Sequence, residues 1–553
     1  MTDPLPTMMD PVPTPTTCSR DREGEACLSA GERPLVPRLL PIAAPLLWFV
    51  AGGGLLLLGL WLPIDAAAQS APTAAATDTL RLRTTDAVRL AVRNNRIIEN
   101  AYLNRRADRY DRRTAMDKFV PDLTLSTDAT VDDLFQNEGP TPRIEQRERS
   151  LNAGVTLSTL LPTGTRLSVG YDGRGDRTTV DGASASALPD SLTDPIGYRQ
   201  SVQVRVEQPL LQDFGWGVNQ ASLRIARLED AASRLDLQSA LIDVVTQTVL
   251  RVRRLIQARE QQVIARTSLR RARRLLRRNR RLVEAGRLAR LDLVQGQAQV
   301  SQQELRLEES RNQIHTARLD LLEILDLDEN VVIDPVDILI VPEVSLDEDS
   351  VLAAAFAQRP DLQRAQHAVT IARENRRLAD DQSQWDVRLV GSYTRQLQDD
   401  QLQVPFAEDP FSVNGGWSVG LSVDRTLGNP RREARRAQSR LAARTAQNRL
   451  REQRQQIEIA VRTQVNTVRQ RRRQLTLARE VRRLSAEKLA VEEKKLQKGH
   501  SSSFQVVSFQ NDLVRARQRE VQAKIAYLDA LTRLDQITGA TLRTWNVQIE
   551  PIP

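Results

Sequence analysis

Residues 241–256 read LIDVVTQTVLRVRRLI, and within them Leu241, Val245, Val249, Val252 and Ile256 return at a mean of about 3.75 residues, the period of one apolar stripe on an α-helix. They lie inside a longer stretch, Val218 to Ala285, that contains neither proline nor glycine. At about 1.5 Å of rise per residue this predicts a single rod of about 100 Å, for which an ordinary globular domain has no use. The rod stops at Gly286-Arg287-Leu288-Ala289-Arg290-Leu291-Asp292, and a returning helix follows with Leu293, Val300, Leu307, Ile314 and Leu321 seven apart. Its other seam positions, Gly296, Gln303, Ser310, Ala317 and Ile324, are mostly small or polar. That seam suits helices packed side by side around an aqueous lumen better than a dry two-stranded zipper.

The rest of the chain repeats this unit. A second rod free of proline and glycine runs from Arg431 to Lys498, breaks at Gly499-His500-Ser501-Ser502-Ser503-Phe504-Gln505, and returns with Val507, Val514, Val521 and Leu528 seven apart. Upstream, Thr85 to Arg96 recurs weakly as Asp349 to Pro360, and each copy continues as about two dozen helical residues. Extended alternation then begins at Pro121-Asp122-Leu123-Thr124-Leu125 and at Trp385-Asp386-Val387-Arg388-Leu389. A further strand precedes each rod, at 201–206 and 418–423. The first copy holds 47 extra residues between its strands, where Gly154 to Ser158 and Arg166 to Tyr171 flank the turn Pro162-Thr163-Gly164 and predict an added hairpin. The remainder of that excess, rich in Asp, Gly, Ser and Thr, reads as exposed loop.

These strands alternate: Leu123, Leu125 and Val131 point one way, Thr124, Ser126 and Asp128 the other. In an exported chain with strands of about ten residues, that fits a barrel wall with lipid outside and water inside. Trp216, Trp385, Phe119 and Tyr198 flank strand ends, as an interfacial aromatic belt requires.

Export is read from the N-terminus. Leu39 to Leu62 is almost wholly apolar, preceded by Arg33 and Arg38 and followed by Ala66-Ala67-Ala68, the pattern of a cleaved signal peptide. Both cysteines, Cys18 and Cys27, precede that run and leave with it. Loss of residues 1–68 removes four arginines and seven acids, leaving 75 cations against 63 anions, a net charge of +12. Arginine interleaves with Glu, Asp and Gln along the helices, the look of solvated faces, and no aromatic-studded basic stripe points to nucleic acid. His315, His367 and His500 are far apart, and no nucleophile elbow, phosphate loop or metal-ligand spacing accompanies them. No catalytic residue, metal or cofactor is expected. The expected segments are a signal with its extension (1–68), a first repeat (69–330), a connector (331–345), a second repeat (346–545) and a short tail (546–553).

A handful of strands cannot close a barrel, and an open sheet edge cannot face lipid, so the protomer must share its wall with copies of itself. Ala91 to Asn95 resembles the "AL.NNP" helix start of the TolC outer-membrane efflux family, Arg359-Pro360-Asp361-Leu362 its "RPDL", Gln208-Pro209-Leu210-Leu211 its "QPL" strand exit, and Gly286 with Asp292 its "G.....D" turn. Together and in order, over about residues 80 to 545, they make the chain resemble that family. The resemblance implies an α+β membrane protein: a trimeric outer-membrane β-barrel, continued by a helical barrel across the periplasm. It implies a passive exit duct for an efflux pump or type I secretion system, in contact with outer-membrane lipid. A periplasmic adaptor would contact the turns Gly286, Arg287, Leu288 and Gly499, His500, Ser501, and would couple them to an inner-membrane pump of the resistance-nodulation-division (RND) or ATP-binding cassette (ABC) type. The entrance would be formed at Asp292, Gln505 and Ser508; the last two stand where the family carries acids, so an acidic ring is not expected in the second copy. Family latch positions fall on Ser501 and Leu496. More than four strands per chain are expected if the added hairpin joins the barrel. The reading of a different class is a secreted coiled-coil adhesin or structural envelope protein, which leaves the duplicated strand pairs unexplained.

Overall fold

The computed structural model describes residues 79–136, 144–181, 196–337, 339–399 and 415–548; the export signal lies outside them. A short strand, β1 (Thr79–Leu82), leads into α1 (Thr84–Asn94) and α2 (Arg96–Asp117). Four strands follow, β2 (Asp122–Gln136), β3 (Ile144–Leu160), β4 (Arg166–Asp181) and β5 (Ile196–Pro209), then the one-turn α3 (Trp216–Asn219). The rod α4 (Ala221–Glu284) has 64 residues and the returning helix α5 (Arg290–Leu325) has 36. The second half gives β6 (Val332–Pro335), α6 (Glu348–Gln358), α7 (Pro360–Asp381), β7 (Asp386–Asp399), β8 (Gly415–Asp424), α8 (Pro430–Gln497, 68 residues), α9 (Ser503–Thr538) and the short α10 (Thr541–Thr544). Helices α1, α2 and α5 recur as α6, α7 and α9 with matching lengths, so the order of elements repeats along the chain.

Each rod is longer than any one partner: 64 and 68 residues against 36 in the returning helices and 22 in α2 and α7. One part of α4 packs on α5 and another on α2, and α8 is shared in the same way by α9 and α7. Each repeat therefore carries its own apolar core. The first joins Leu241, Val245, Val249, Val252 and Ile256 of α4 to Ala87, Val88 and Ala91 of α1 and to Leu321 and Leu325 of α5; the second joins Ile457, Val461, Val465 and Val468 to Tyr527 and Leu534. On α5 the buried line is Gly296, Gln303, Ser310, Ala317 and Ile324, while Leu293, Val300, Leu307 and Ile314 are only half-buried. The small and polar seam is thus the one that meets α4: Gly296 lets the Leu276 side chain approach to 3.1 Å of where a Cβ would stand.

Polar bonds tie the halves together. Arg253 on α4 donates to Asp529 (3.2 Å) and Thr532 (2.8 Å) on α9. Burial is the main influence on both charges, pushing the Asp529 carboxyl up and the Arg253 guanidinium down, and each partly restores the other. Asn95, at the start of α2, accepts from the Ile97 amide (2.9 Å) and donates its side-chain amide to the Ile324 carbonyl (2.8 Å). Arg359, its counterpart before α7, donates to the Ile537 carbonyl (3.2 Å) and forks onto Asp361 (2.9 and 2.6 Å). Asn95 and Arg359 are therefore corner fasteners, each holding a helix pair to the end of the returning helix.

Six strands form one antiparallel sheet in the order β2-β3-β4-β5-β7-β8. The added hairpin is present and lies within the sheet, between β2 and β5. Its strands are longer than the alternation suggested: residues 172–181, read as loop, continue β4. At that end of the sheet, from Asp172 to Thr179, β4 carries no apolar side chain on either face, so period-two patterning disappears there. Cross-strand pairs Arg147–Asp133 (2.5 Å), Arg174–Glu148 (2.8 Å) and Arg199–Asp176 (3.3 Å) hold it instead. At the opposite end, where α2 and α7 arrive, the Arg425 guanidinium stacks over Trp385 (4.8 Å) and Lys118 over Phe119 (5.8 Å). Apart from the sheet, β1 and β6 pair in parallel and join the start of the described chain to the connector.

Asn95→Ala should cost about 2 kcal/mol of helical-domain stability, one part from the lost helix cap and one from the unpaired Ile324 carbonyl; thermal unfolding in detergent measures it. A second expectation concerns pH. Burial, the largest single influence, pushes the Asp361 carboxyl up, but Arg359 and the Leu362 amide together outweigh it and hold the group below the ordinary carboxylate value. A depressed folded pKa gives stability that is present above about pH 4 and lost as pH falls through the folded value. Asp361→Asn should therefore destabilise at pH 7 and progressively less toward pH 3.

Candidate functional site

Both rods end in the same backbone device. Gly286 (φ 69°) and Gly499 (φ 77°) sit in the left-handed region, each directly after the C-cap residue, Ala285 or Lys498, of its rod. At the first, the Arg287 amide reaches back to the Leu282 carbonyl (2.8 Å) and the Gly286 amide to Val283 (2.9 Å); at the second, His500 bonds Lys495 (3.0 Å) and Gly499 bonds Leu496 (3.2 Å). These are paired Schellman closures, which satisfy the last carbonyls and turn the chain sharply. The returning helices start differently. Ser502 accepts from the Gln505 amide (3.2 Å) as an N-cap, whereas Ala289 provides no side-chain cap before Asp292.

Asp292 and Gln505 therefore occupy the same position, third in their returning helices, and Ser508 lies one turn beyond Gln505; all three are half-buried. Gly286, Arg287, Gly499 and His500 are exposed, and Leu288 and Ser501 half-buried. Ser501 donates to Glu492 (2.7 Å) within its own turn. The two hairpin tips also touch one another: Gln299 donates to Asn511 (3.0 Å), Ser503 to Asn279 (3.3 Å), and Arg278 to the Leu496 carbonyl (3.4 Å).

The structure draws attention to a feature of the tip that reading the turns alone passes over. Residues 266–290 hold eleven arginines and one acid, Glu284. Arg266, Arg274, Arg277, Arg280, Arg281, Arg287 and Arg290 are exposed, and none makes an ion pair among the described residues. Between α4, α8 and α9 a groove of about 480 Å³ has an apolar floor, including Leu275, Leu489 and Val506, and a rim of Arg271, Arg274, Arg278 and Arg517. Burial first, then Arg271 and Arg482, push the Arg517 guanidinium down, and Glu520 only partly offsets them. A local count of charge, rather than a search for motifs, reveals this concentration in the sequence. Among the described residues no cluster of His, Cys, Asp or Glu could hold a metal ion.

A sheet with one apolar face, set on long paired rods whose far ends carry tight glycine turns, defines a membrane channel with a helical conduit. The family model described as "Outer membrane efflux protein" matches residues 166–326 and 351–540, and the chain belongs to that family. Its likeness to solved structures extends over most of each chain. The CmeC outer membrane channel of Campylobacter jejuni has a TM-score of 0.62 at 13% identity, covering 83% of this chain and 86% of that one. The outer membrane protein VceC of Vibrio cholerae has a TM-score of 0.60 at 15% identity, covering 82% and 96%. The MtrE outer membrane channel of Neisseria gonorrhoeae, in its open state, has a TM-score of 0.55 at 16% identity, covering 83% and 89%. Comparison with curated proteins by sequence gives no match. The protein is an outer-membrane efflux channel extending into the periplasm.

An added Cβ at Gly286 or Gly499 meets nothing within 4 Å, so Gly→Ala there carries only the left-handed backbone penalty, about 1 kcal/mol each. Equal, additive losses in thermal unfolding would bear this out; a much larger loss at one turn would mean that its tip packs against something further.

Proposed function

We propose that this chain is one third of a homotrimeric exit duct that works with a periplasmic adaptor and an inner-membrane pump of the RND or ABC type, for efflux or for type I secretion. The observation that carries the ring of copies is the six-stranded sheet, whose edge strands β2 and β8 have no further partner among the described residues. Its open edges demand neighbours before it can stand in lipid. Six is an even number, so β8 of one copy meets β2 of the next in the antiparallel sense and a ring of identical chains closes; three is the number that the resemblance to the family implies. Adaptor contact falls on the two turns, at Gly286, Arg287, Leu288 and Gly499, His500, Ser501. Asp292, Gln505 and Ser508 line the entrance.

With Gln505 and Ser508 uncharged and the arginine-rich end of α4 nearby, the entrance disfavours cations. In planar bilayers the channel should show weak cation selectivity or prefer anions, and Gln505→Asp with Ser508→Asp should shift the reversal potential toward cations. Strong cation selectivity in the unaltered protein would refute the charge argument. Photo-crosslinkers placed at Arg287 and His500 should capture a periplasmic adaptor in intact cells; capture only from sites on the sheet would overturn the tip assignment.

A further inference from the structure

The hairpin β3–β4 has all the properties of wall rather than plug. Leu123, Leu157, Val169, Val204, Tyr393 and Trp417 are register partners, one on each of the six strands in turn. They form an unbroken apolar and aromatic row, of which Leu157 and Val169 belong to the added hairpin. The next row on the same face runs Leu125, Val155, Tyr171 and Val202 before Arg395 interrupts it on β7. The intervening row faces the other way and is Thr124, Thr156, Gly170, Gln203, Thr394 and Gly416. A hairpin folded into the lumen would have no reason to match the apolar rows of its flanking strands residue for residue, and one projecting into solvent would not expose Leu157 and Val169 at that level. The family model's match begins at Arg166, the first residue of β4, leaving β2 and β3 outside it.

We infer that the outer-membrane end of this channel is an eighteen-stranded barrel, with β3 and β4 of each copy in the lipid-facing wall and the β2 edge of one copy paired to the β8 edge of the next. This rests on the trimeric reading above. Barrel diameter grows roughly linearly with strand number, so eighteen strands in place of twelve widen the bore about 1.5-fold and its cross-section about 2.2-fold at equal tilt. The lumenal faces of the central strands β3, β4 and β5 carry charges of both signs, among them Glu148, Asp172, Arg174, Asp176 and Arg199. The widened mouth therefore suits bulky polar cargo without sorting it by the sign of its charge.

The two native cysteines, Cys18 and Cys27, both precede residue 69, and with both replaced by serine, engineered pairs report cleanly in the protein in outer membranes. Thr124→Cys with Thr156→Cys, register partners on β2 and β3, should form a disulfide. Thr124→Cys with Gln203→Cys should not, because β2 and β5 stand three strand spacings apart, about 14 Å, beyond the reach of about 7 Å between bridged Cα atoms. The reverse pattern means that β2 pairs directly with β5, that the hairpin lies outside the wall, and that the inference fails. A scan of cysteines along β2 against β8 should yield crosslinked dimers and trimers. If it yields none while the β2–β3 pair forms, ring closure through these edges fails and the proposed eighteen-stranded barrel with it, although the six-stranded protomer stands. Cryo-electron microscopy of the detergent-extracted assembly gives the direct count: eighteen wall strands uphold the inference and twelve overturn it.

Discussion

Lipid offers no hydrogen bonds. Every backbone amide and carbonyl at membrane depth must find its partner within protein, and each one left open costs several kcal/mol. That constraint governs the sheet. It forbids the sheet to end in lipid, and the proposed ring of identical copies, in which β8 meets β2 in the antiparallel sense, is one way to satisfy it. The helical rods are subject to no such demand, since each satisfies its own backbone internally. They need only a partner along their length, and they find it in two shorter helices that divide the rod between them.

Much of this was legible in the sequence because it rests on period and punctuation. Two runs of nearly seventy residues without proline or glycine read as rods, and Gly286 and Gly499 mark their ends because a left-handed residue after a helix is usually glycine. The strands were legible where lipid is on one side, as at Leu123 and Leu125, and faded where water is on both. Beyond residue 172 the chain stays extended through cross-strand ion pairs that leave no alternating pattern to read. The heptad misdirects in a similar way over Leu293, Val300, Leu307 and Ile314, which are only half-buried, and enters the core only at Leu321. Gly296 lets Leu276 of α4 come close, and the buried line runs through the smaller and polar residues.

At the tip, the sequence located the turns but not the charge around them. Asp292, Gln505 and Ser508 are expectations carried over from the family's turn motifs, which are local signals. The groove rimmed by Arg271, Arg278 and Arg517 assembles residues from three helices, and its like charges lie close only because α4, α8 and α9 converge there. Spacing along one helix cannot report such a convergence, although the density of arginine in α4 supplies half of it.

The corners where each repeat bends back show how loosely chemistry is bound to architecture. One corner grips a carbonyl at the end of the returning helix with a short amide, Asn95; the other grips the equivalent carbonyl with a long guanidinium, Arg359. What each corner demands is a donor at a given place, and either side chain supplies it because its reach fits the distance to the carbonyl.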